Sequence, residues 1–274
     1  MRPDRHPLRS PWAPAVLLLA GILAATTAQA GLYRVTCKGI HKLASDAAGD
    51  SCAESGMLYD AQGRFLPSIS EAVADLGSGV LAATAGGGAI RGVGYGGREA
   101  TSVIIERFRL NGSWTGTMPV EITMKLHYRF EGDGESRLGA LLRSSIPKEF
   151  RAVHQAAMWV YYTGLGGAVV LEGRTRGRFE QPADGAIANG TTIELKVTQN
   201  IDVAAPDLEI RADLIAYAMP NLGSFEESLT SLVQAQGEIE VTAPCPFRIE
   251  TPSHMIGWNA SIASDRAREP DFRC

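Results

Sequence analysis

The sequence predicts a mainly β protein, an antiparallel β-sandwich or jelly roll with one or two short helices. Apolar and polar residues alternate with a period of two over long stretches, and turn residues separate these stretches at short intervals. Strand patterns do not alternate with helical ones, which argues against a doubly wound parallel fold. With 45% apolar and 20% charged residues, the 274-residue chain has a globular composition, so disordered and collagen-like classes are excluded.

The first thirty residues are predicted to be a secretory signal peptide rather than part of the fold. Three arginines precede an apolar run from Ala13 to Ala25, and Ala28-Gln29-Ala30 provides the small-x-small pattern that signal peptidase accepts. The run is shorter than the roughly 18 residues that a membrane-spanning helix needs. We therefore expect a secreted or periplasmic protein with no membrane span after signal cleavage.

The charge balance argues against nucleic acid as a partner. The whole chain has a formal net charge of −4, and removal of residues 1–30 takes away three Arg and one Asp, which makes the mature part more acidic still. Binding to phosphates needs a concentrated basic surface. The longest basic cluster, Arg174 to Arg178, alternates as a strand would, and we interpret it as a solvated strand face.

Four cysteines in an exported chain predict two disulfides. Three pairings are open, and we favour the one that joins partners close in sequence: Cys37 with Cys52, and Cys245 with Cys274. Each bridge would then close a loop near one end of the chain. A disulfide that closes a 15-residue loop stabilises the folded state by roughly 3 kcal/mol. Metal or redox chemistry is disfavoured for these thiols because the sequence has no C-x-x-C.

These observations divide the chain into four segments. Residues 1–30 are the signal peptide, and residues 31–71 form an N-terminal segment that contains a disulfide. Residues 72–255 form the β-sandwich domain. Residues 256–274 form a C-terminal tail that is tied back by the second disulfide.

The clearest strands run from Val120 to Glu131, from Ile193 to Val203 and from Leu208 to Ala218. In each of them apolar side chains alternate with polar ones, as expected for a strand with one buried face and one solvated face. Weaker strand patterns cover Gly79–Thr84, Ala89–Tyr95, Thr101–Leu110, Trp159–Thr163, Ala168–Glu172, Arg174–Phe179, Glu238–Thr242 and Phe247–Thr251.

Three segments carry helix signals, and we expect one or two of them to be helical. Residues 145–158 place Pro147 at a first turn before apolar residues at helical spacing. Residues 224–237 and 68–77 each begin with a Ser followed three residues later by Glu, the capping-box pattern, and each ends at a Gly.

No cofactor is expected, with calcium left as an open alternative. The run Gly92 to Gly97 has the G-x-G-x-x-G spacing, but a strand former follows it instead of a helix, so a dinucleotide site is disfavoured. Glu131, Asp133 and Glu135 resemble calcium-loop ligands, yet Leu142 stands where an EF-hand needs its last carboxylate. The histidines lack metal-binding spacing, and no catalytic set can be named.

The candidate ligand face consists of Trp114, Lys125, His127 and Arg129. Trp114 lies in a polar connector, which favours an exposed ring as a stacking platform. The other three lie on the polar side of the strand Val120–Glu131. Trp159 and Tyr161 share one face of a strand and Val160 and Tyr162 the other, so at least one large ring pair is expected in the core.

The layout resembles bacterial secreted β-sandwich proteins that are often found with a PEP-CTERM sorting tail. The resemblance rests on the signal peptide, the Ala-rich run Ala72–Gly79, the long alternating strands, and Phe225-x-x-Ser-Leu229 before a strand near Pro244. The sorting tail itself is absent, because the chain ends at Glu269–Cys274 without the Pro-Glu-Pro signal. The resemblance implies an extracellular matrix or surface component and transfers no catalytic residues.

The leading hypothesis is a secreted, non-enzymatic β-sandwich that binds a polysaccharide or surface protein or serves structurally. The alternative is a carbohydrate-active enzyme, a polysaccharide lyase or hydrolase, that uses Lys125, His127 and Arg129 on a concave sheet face. A third hypothesis, an assembly subunit that pairs by strand addition, requires an incomplete sheet with an open groove.

Overall fold

The computed structural model describes residues 32–37, 40–44, 49–59, 65–75, 78–90, 94–96, 98–147, 149–164, 168–176, 185–219, 228–250, 259–262 and 272–273. Over these residues the chain is almost entirely antiparallel β-structure in two sheets, which confirms the predicted mainly β sandwich. The described part contains no helix of the length and hydrophobicity needed to cross a membrane.

The described residues form eighteen strands. They are β1 Leu32–Cys37, β2 Ile40–Ala44, β3 Gly49–Tyr59, β4 Phe65–Asp75, β5 Val80–Ile90, β6 Gly94–Gly96, β7 Arg98–Gly112, β8 Thr115–Gly132, β9 Glu135–Ile146, β10 Glu149–Thr163, β11 Ala168–Arg176, β12 Gly185–Ile187, β13 Ile193–Asp202, β14 Asp207–Met219, β15 Ser228–Ala243, β16 Phe247–Glu250, β17 Asn259–Ile262 and β18 Phe272–Arg273.

Sheet A has the strand order β12-β11-β10-β9-β14-β7-β1-β2, with β16 paired to the end of β7. Sheet B has the order β13-β8-β15-β5-β4-β3, and the short strands β6, β17 and β18 pair with β5, β15 and β8. All described pairings are antiparallel except that of β17 with β15. The chain changes sheet after β2, β6, β7, β8, β12, β13, β14, β15 and β16, so many strands that are neighbours in sequence lie in opposite sheets.

The three clearest predicted strands are confirmed as β8, β13 and β14. Their apolar residues point into the space between the sheets, and Ile122, Ile201 and Leu214 are fully buried there. Strands β5 and β11 run without interruption through residues 85–88 and Gly173, which the weaker strand patterns left out. At Gly86 a Cβ would lie 3.0 Å from Ile69 Cγ1, so a larger residue there would have to displace the side chain of Ile69.

The expectation that one or two of the three candidate segments are helical is wrong for the residues that the structure describes, which contain no α-helix in these segments. Residues 68–75 lie in β4, residues 149–158 in β10, and residues 228–237 in β15. A helix cap contributes about 1 kcal/mol. In the sheets these segments pair with strands on both sides and bury every second side chain, as Met158 and Val233 show. The tertiary gain therefore outweighs the local helix signal.

The predicted boundary between residues 71 and 72 falls inside β4. The segment 31–71 contributes β1 and β2 to sheet A and β3 to sheet B, so it belongs to the sandwich. The two sheets lie close together here, as two hydrogen bonds between β4 and β7 show. Ser70 Oγ donates to the carbonyl of Glu99, and Ser102 Oγ donates to the carbonyl of Val73. Short strands from the tail 256–274 also pair with β15 and β8.

Cys52 and Cys245 are both disulfide-bonded, and no free cysteine occurs among the described residues. The side chain of Cys37 and the whole of Cys274 lie outside the described residues, so the favoured pairing stays a prediction. Strands β1 and β3, which carry Cys37 and Cys52, approach within 8 Å between Cα atoms. Cys245 immediately precedes Pro246, whose carbonyl lies beside Gly112. Arg273 pairs with Thr115, which follows Gly112 by three residues.

Candidate functional site

The predicted residues Lys125, His127 and Arg129 lie together on the outer face of sheet B, and each has a partner. Lys125 Nζ is 2.9 Å from Glu240 Oε2, and Arg129 Nε is 2.8 Å from Glu131 Oε1. His127 Nδ1 is 3.0 Å from Thr192 Oγ1. The hydrogen bond from Lys125 to Glu240, together with the negative charge of that carboxylate, raises the pKa of Lys125.

Carboxylates outnumber cations on this face of sheet B. Glu194 and Glu238 lie directly opposite Lys125 in the strand register, and Lys196 forms a further ion pair with Glu194 at 3.1 Å. The described acidic side chains on the face are Glu71, Asp75, Glu121, Glu131, Glu194, Asp202, Glu238 and Glu240, against Lys125, Arg129 and Lys196. The face is therefore acidic, and its cations neutralise their neighbours.

Trp114 is buried, contrary to the expectation of an exposed stacking platform. Only 5% of the residue is accessible, because the connector between β7 and β8 is short and turns the indole against Gly112 and the core. Its Nε1 has no hydrogen-bond partner among the described residues. A shallow cavity of about 500 Å³ lies along this connector, lined by Asn111, Gly112, Ser113, Pro246, Phe247 and Arg248.

The carboxylates considered for calcium do not form a ligand cluster. Asp133 lies at the turn between β8 and β9, while Glu131 is held by Arg129. Nowhere in the described part of the chain do three acidic, histidine or cysteine side chains come together as a metal site would require.

Three aromatic rings meet on the outer face of sheet A, which sequence reasoning did not identify as a site. Trp159 and Tyr161 come from β10, and Tyr217 comes from β14. The ring centroid of Trp159 lies 6.5 Å from that of Tyr161 and 6.3 Å from that of Tyr217. All three residues are half-buried. On the opposite side of β10, Val160 is fully buried, and Tyr162 is half-buried and stacks on the core residue Phe130. The ring pair of Trp159 and Tyr161 is half-buried on the outer face and not in the core.

Strand β9 lies between β10 and β14 and brings these rings together. Gly139 is directly opposite Trp159, and a Cβ at Gly139 would lie 2.7 Å from the indole ring. The missing side chain lets the indole lie flat over the strand. Arg137, two residues earlier, places its guanidinium carbon 4.5 Å from the centroid of Tyr217 and 5.8 Å from that of Trp159. We call Trp159, Tyr161, Tyr217, Arg137 and Gly139 the aromatic platform.

The hydroxyl of Tyr217 is also part of a polar contact. Burial, the negative charge of Glu99 and a hydrogen bond to that carboxylate raise the pKa of Tyr217, while Arg137 acts in the opposite direction. Thr101 Oγ1 donates to Glu99 Oε1 at 3.4 Å. Tyr217 is therefore a neutral hydrogen-bonding group at physiological pH, and Glu99 is fixed at the rim of the platform.

Along β9 the platform continues through Leu141 to Arg143. On β14, the neighbouring Arg211 forms a two-point ion pair with Asp213, with Nε 2.9 Å from Oδ1 and Nη2 2.8 Å from Oδ2. This contact raises the pKa of Arg211. Arg143 has no ion pair with any residue that the structure describes, and Arg137 has none either.

The sequence contained part of the signal for this site. The pattern Trp159-x-Tyr161 places two rings on one side of a strand, but periodicity does not show which side faces the core. Arg137 and Tyr217 are 22 and 58 residues away from Trp159 in the numbering, and only the strand register brings them together.

Comparisons with protein-family models, with curated proteins and with solved structures give no match to this chain.

Proposed function

We propose that this protein is a secreted, non-enzymatic β-sandwich that binds an extracellular polysaccharide. The observation that carries the proposal is the aromatic platform on the outer face of sheet A. Flat rings offer an apolar surface to the C–H face of a sugar ring, and neighbouring donors and acceptors bind its hydroxyl groups. Arg137, Tyr217 and Glu99 supply such polar groups within the same cluster.

The platform is organised before any ligand arrives. Trp159 is held over Gly139, and the guanidinium of Arg137 is stacked against two of the rings. Tyr and Trp side chains have few rotatable bonds, so little further conformational entropy is lost when a ligand orders them. This arrangement favours binding over a purely structural role for these rings.

Affinity electrophoresis tests the proposal. The mature protein is run in native gels that contain one polysaccharide each, neutral or acidic, and retardation gives the dissociation constant. We expect retardation by at least one polymer. The variant Trp159→Ala should bind that polymer at least about tenfold more weakly, since buried aromatic anchors at interfaces typically contribute 2 kcal/mol or more.

The variant Lys125→Ala distinguishes this proposal from a site on sheet B. Lys125 lies on the other outer face, so its removal should leave retardation unchanged. A loss of binding in Lys125→Ala together with full binding in Trp159→Ala would contradict the proposal. Assays for new reducing ends and for unsaturated sugar products, run with the same polymers, test the alternative of a hydrolase or lyase. Turnover with any of them would also contradict a non-enzymatic role.

A further inference from the structure

We propose that the polysaccharide bound on sheet A is an acidic one, whose carboxylates are bound by Arg137 and Arg143. This inference rests on the proposed function and specifies its ligand class. The site is a strip on the outer face that follows β9 from Arg137 through Gly139 and Leu141 to Arg143. We call it the β9 strip.

The first argument is that these two arginines have no carboxylate of their own. The other described arginines on the outer faces of β7 and β14 are neutralised: Arg107 by Glu209 at 2.9 Å, Arg109 by Asp207 at 3.0 Å, and Arg211 by Asp213. Asp213 is 7% accessible and engaged by Arg211, so it adds little repulsion toward an anion on the strip.

The second argument is the orientation of the Arg137 guanidinium. Stacking against Tyr217 and Trp159 covers the faces of the guanidinium, and its Nε is buried without a hydrogen-bond partner among the described residues, which leaves the two terminal Nη groups as donors. The two Nη groups of a stacked guanidinium can bind a carboxylate through two parallel hydrogen bonds. The same residue thus helps to hold the platform and provides a donor edge.

The third argument is the spacing along the strand. Arg137 and Arg143 are six residues apart on a continuous strand, with their side chains on the same face, so about 20 Å separates them. Between them lie Gly139, which is covered by the indole of Trp159, and the apolar Leu141. A short stretch of an extended polysaccharide can span this distance, with its sugar rings on the platform and carboxylates at both ends.

The contrast with sheet B supports the choice of an acidic ligand. The outer face of sheet B has an excess of carboxylates and would repel a polyanion, so such a polymer is directed to sheet A. Nucleic acid is the less favoured polyanion, because binding to its phosphates needs a concentrated basic surface, whereas the β9 strip offers two arginines next to aromatic rings.

The test uses polygalacturonate and the same polymer with its carboxyl groups methyl-esterified, so that only the charge differs. Titration calorimetry with the mature protein should show at least about tenfold tighter binding of the acid form. Arg143→Gln should reduce affinity for the acid form about five- to tenfold and leave affinity for the ester unchanged. The matched control Arg109→Gln removes the same charge from the same sheet, outside the strip, and should change neither affinity by more than about twofold.

Each other result overturns a definite part of the account. Equal binding of the two polymers, both lost in Trp159→Ala, would overturn the acidic ligand and leave the proposed function standing. An equal effect of Arg143→Gln and Arg109→Gln would overturn the β9 strip in favour of nonspecific charge attraction. Single-stranded DNA that binds as tightly as polygalacturonate, with the same dependence on Arg143, would overturn the ligand class. If no polysaccharide binds at all, the proposed function fails together with the inference.

Discussion

The two outer faces of the sandwich are built on the same β-scaffold but differ in how their polar groups are satisfied. On sheet B, Lys125, Arg129 and Lys196 each contact a carboxylate on the same or a neighbouring strand. On sheet A, Arg137 stacks on aromatic rings and Arg143 has no ion pair among the described residues. Paired surface charges mainly keep a face hydrated, whereas unpaired donors next to fixed rings are available to a ligand.

The aromatic platform on sheet A is built over a glycine. At Gly139 the strand has no side chain, and the indole of Trp159 occupies the space above it. On sheet B, β8 carries polar side chains on its outer face at every second position from Glu121 to Glu131, and four of these six are charged: Glu121, Lys125, Arg129 and Glu131. A ring from a neighbouring strand therefore has no space in which to lie flat on β8.

The largest expected effect comes from filling that space. In Gly139→Val the new side chain would overlap the indole of Trp159, because even a Cβ lies 2.7 Å from the ring. We expect a loss of about 1–3 kcal/mol in the free energy of unfolding and the loss of polysaccharide binding. Urea denaturation followed by tryptophan fluorescence measures the first, and affinity electrophoresis measures the second.

A matched control for this variant is Gly190→Val in the connection between β12 of sheet A and β13 of sheet B. Gly190 has a positive φ of 82°, so the variant is strained, but a Cβ there contacts nothing closer than 3.9 Å. It should lose stability to a similar extent and keep its polysaccharide binding. Full binding in Gly139→Val would show that the platform does not depend on the position of the indole.

Much of the fold could be predicted from the sequence, because long strands with one solvated face carry their own periodic signal. The residues around Ile122, Val197 and Ile210 show it clearly, and all three are buried as expected. The helix predictions failed where the sequence offers a local cap but the sheet offers two pairing partners. Pairing partners are distant in sequence, so a local pattern contains no information about them.

The candidate site was harder to predict for the same reason. The sequence identifies Trp159 as a large ring on a strand, yet its neighbours Arg137 and Tyr217 come from other strands. Gly139 makes room for the indole only because the register of β9 and β10 places it directly opposite Trp159. Trp114 was predicted to be exposed because its neighbours are polar. In the structure Asn111, Gly112 and Ser113 are exposed while the ring itself turns inward.

A smaller effect on the free energy of unfolding is expected at alkaline pH. It involves one partly or fully buried tyrosine on each sheet, Tyr128 on sheet B and Tyr217 on sheet A. Burial raises the pKa of Tyr128, on the inner side of sheet B, to about 12, above its ordinary value of 10.0. Because the folded-state pKa is raised, the stabilising contribution is complete below pH 10 and is lost as pH rises toward 12. Tyr217 on sheet A has a pKa raised in the same direction by burial and by Glu99.

Urea denaturation at pH 8, 10 and 11 with the variant Tyr128→Phe measures this effect. The free energy of unfolding of the unmodified protein should decrease from pH 10 to pH 11, and that of Tyr128→Phe should decrease less. Tyr217→Phe should produce the same kind of change and should in addition weaken polysaccharide binding, which Tyr128→Phe should not. Identical pH profiles for all three proteins would contradict the assignment of these tyrosines as the groups that titrate.

The smallest effect is expected from breaking a charge pair on sheet B. Lys125 and Glu240 are partly exposed, with 43% and 25% of their side chains accessible, so solvent screens their attraction. Lys125→Ala should lower the free energy of unfolding by no more than about 1 kcal/mol, and adding salt should reduce the difference. The double variant Lys125→Ala/Glu240→Gln should recover part of the loss, because Glu194 and Glu238 otherwise face Glu240 without a cation between them. A loss much larger than 1 kcal/mol would mean that sheet B depends on this pair, and then the contrast between a hydrated face and a binding face would no longer hold.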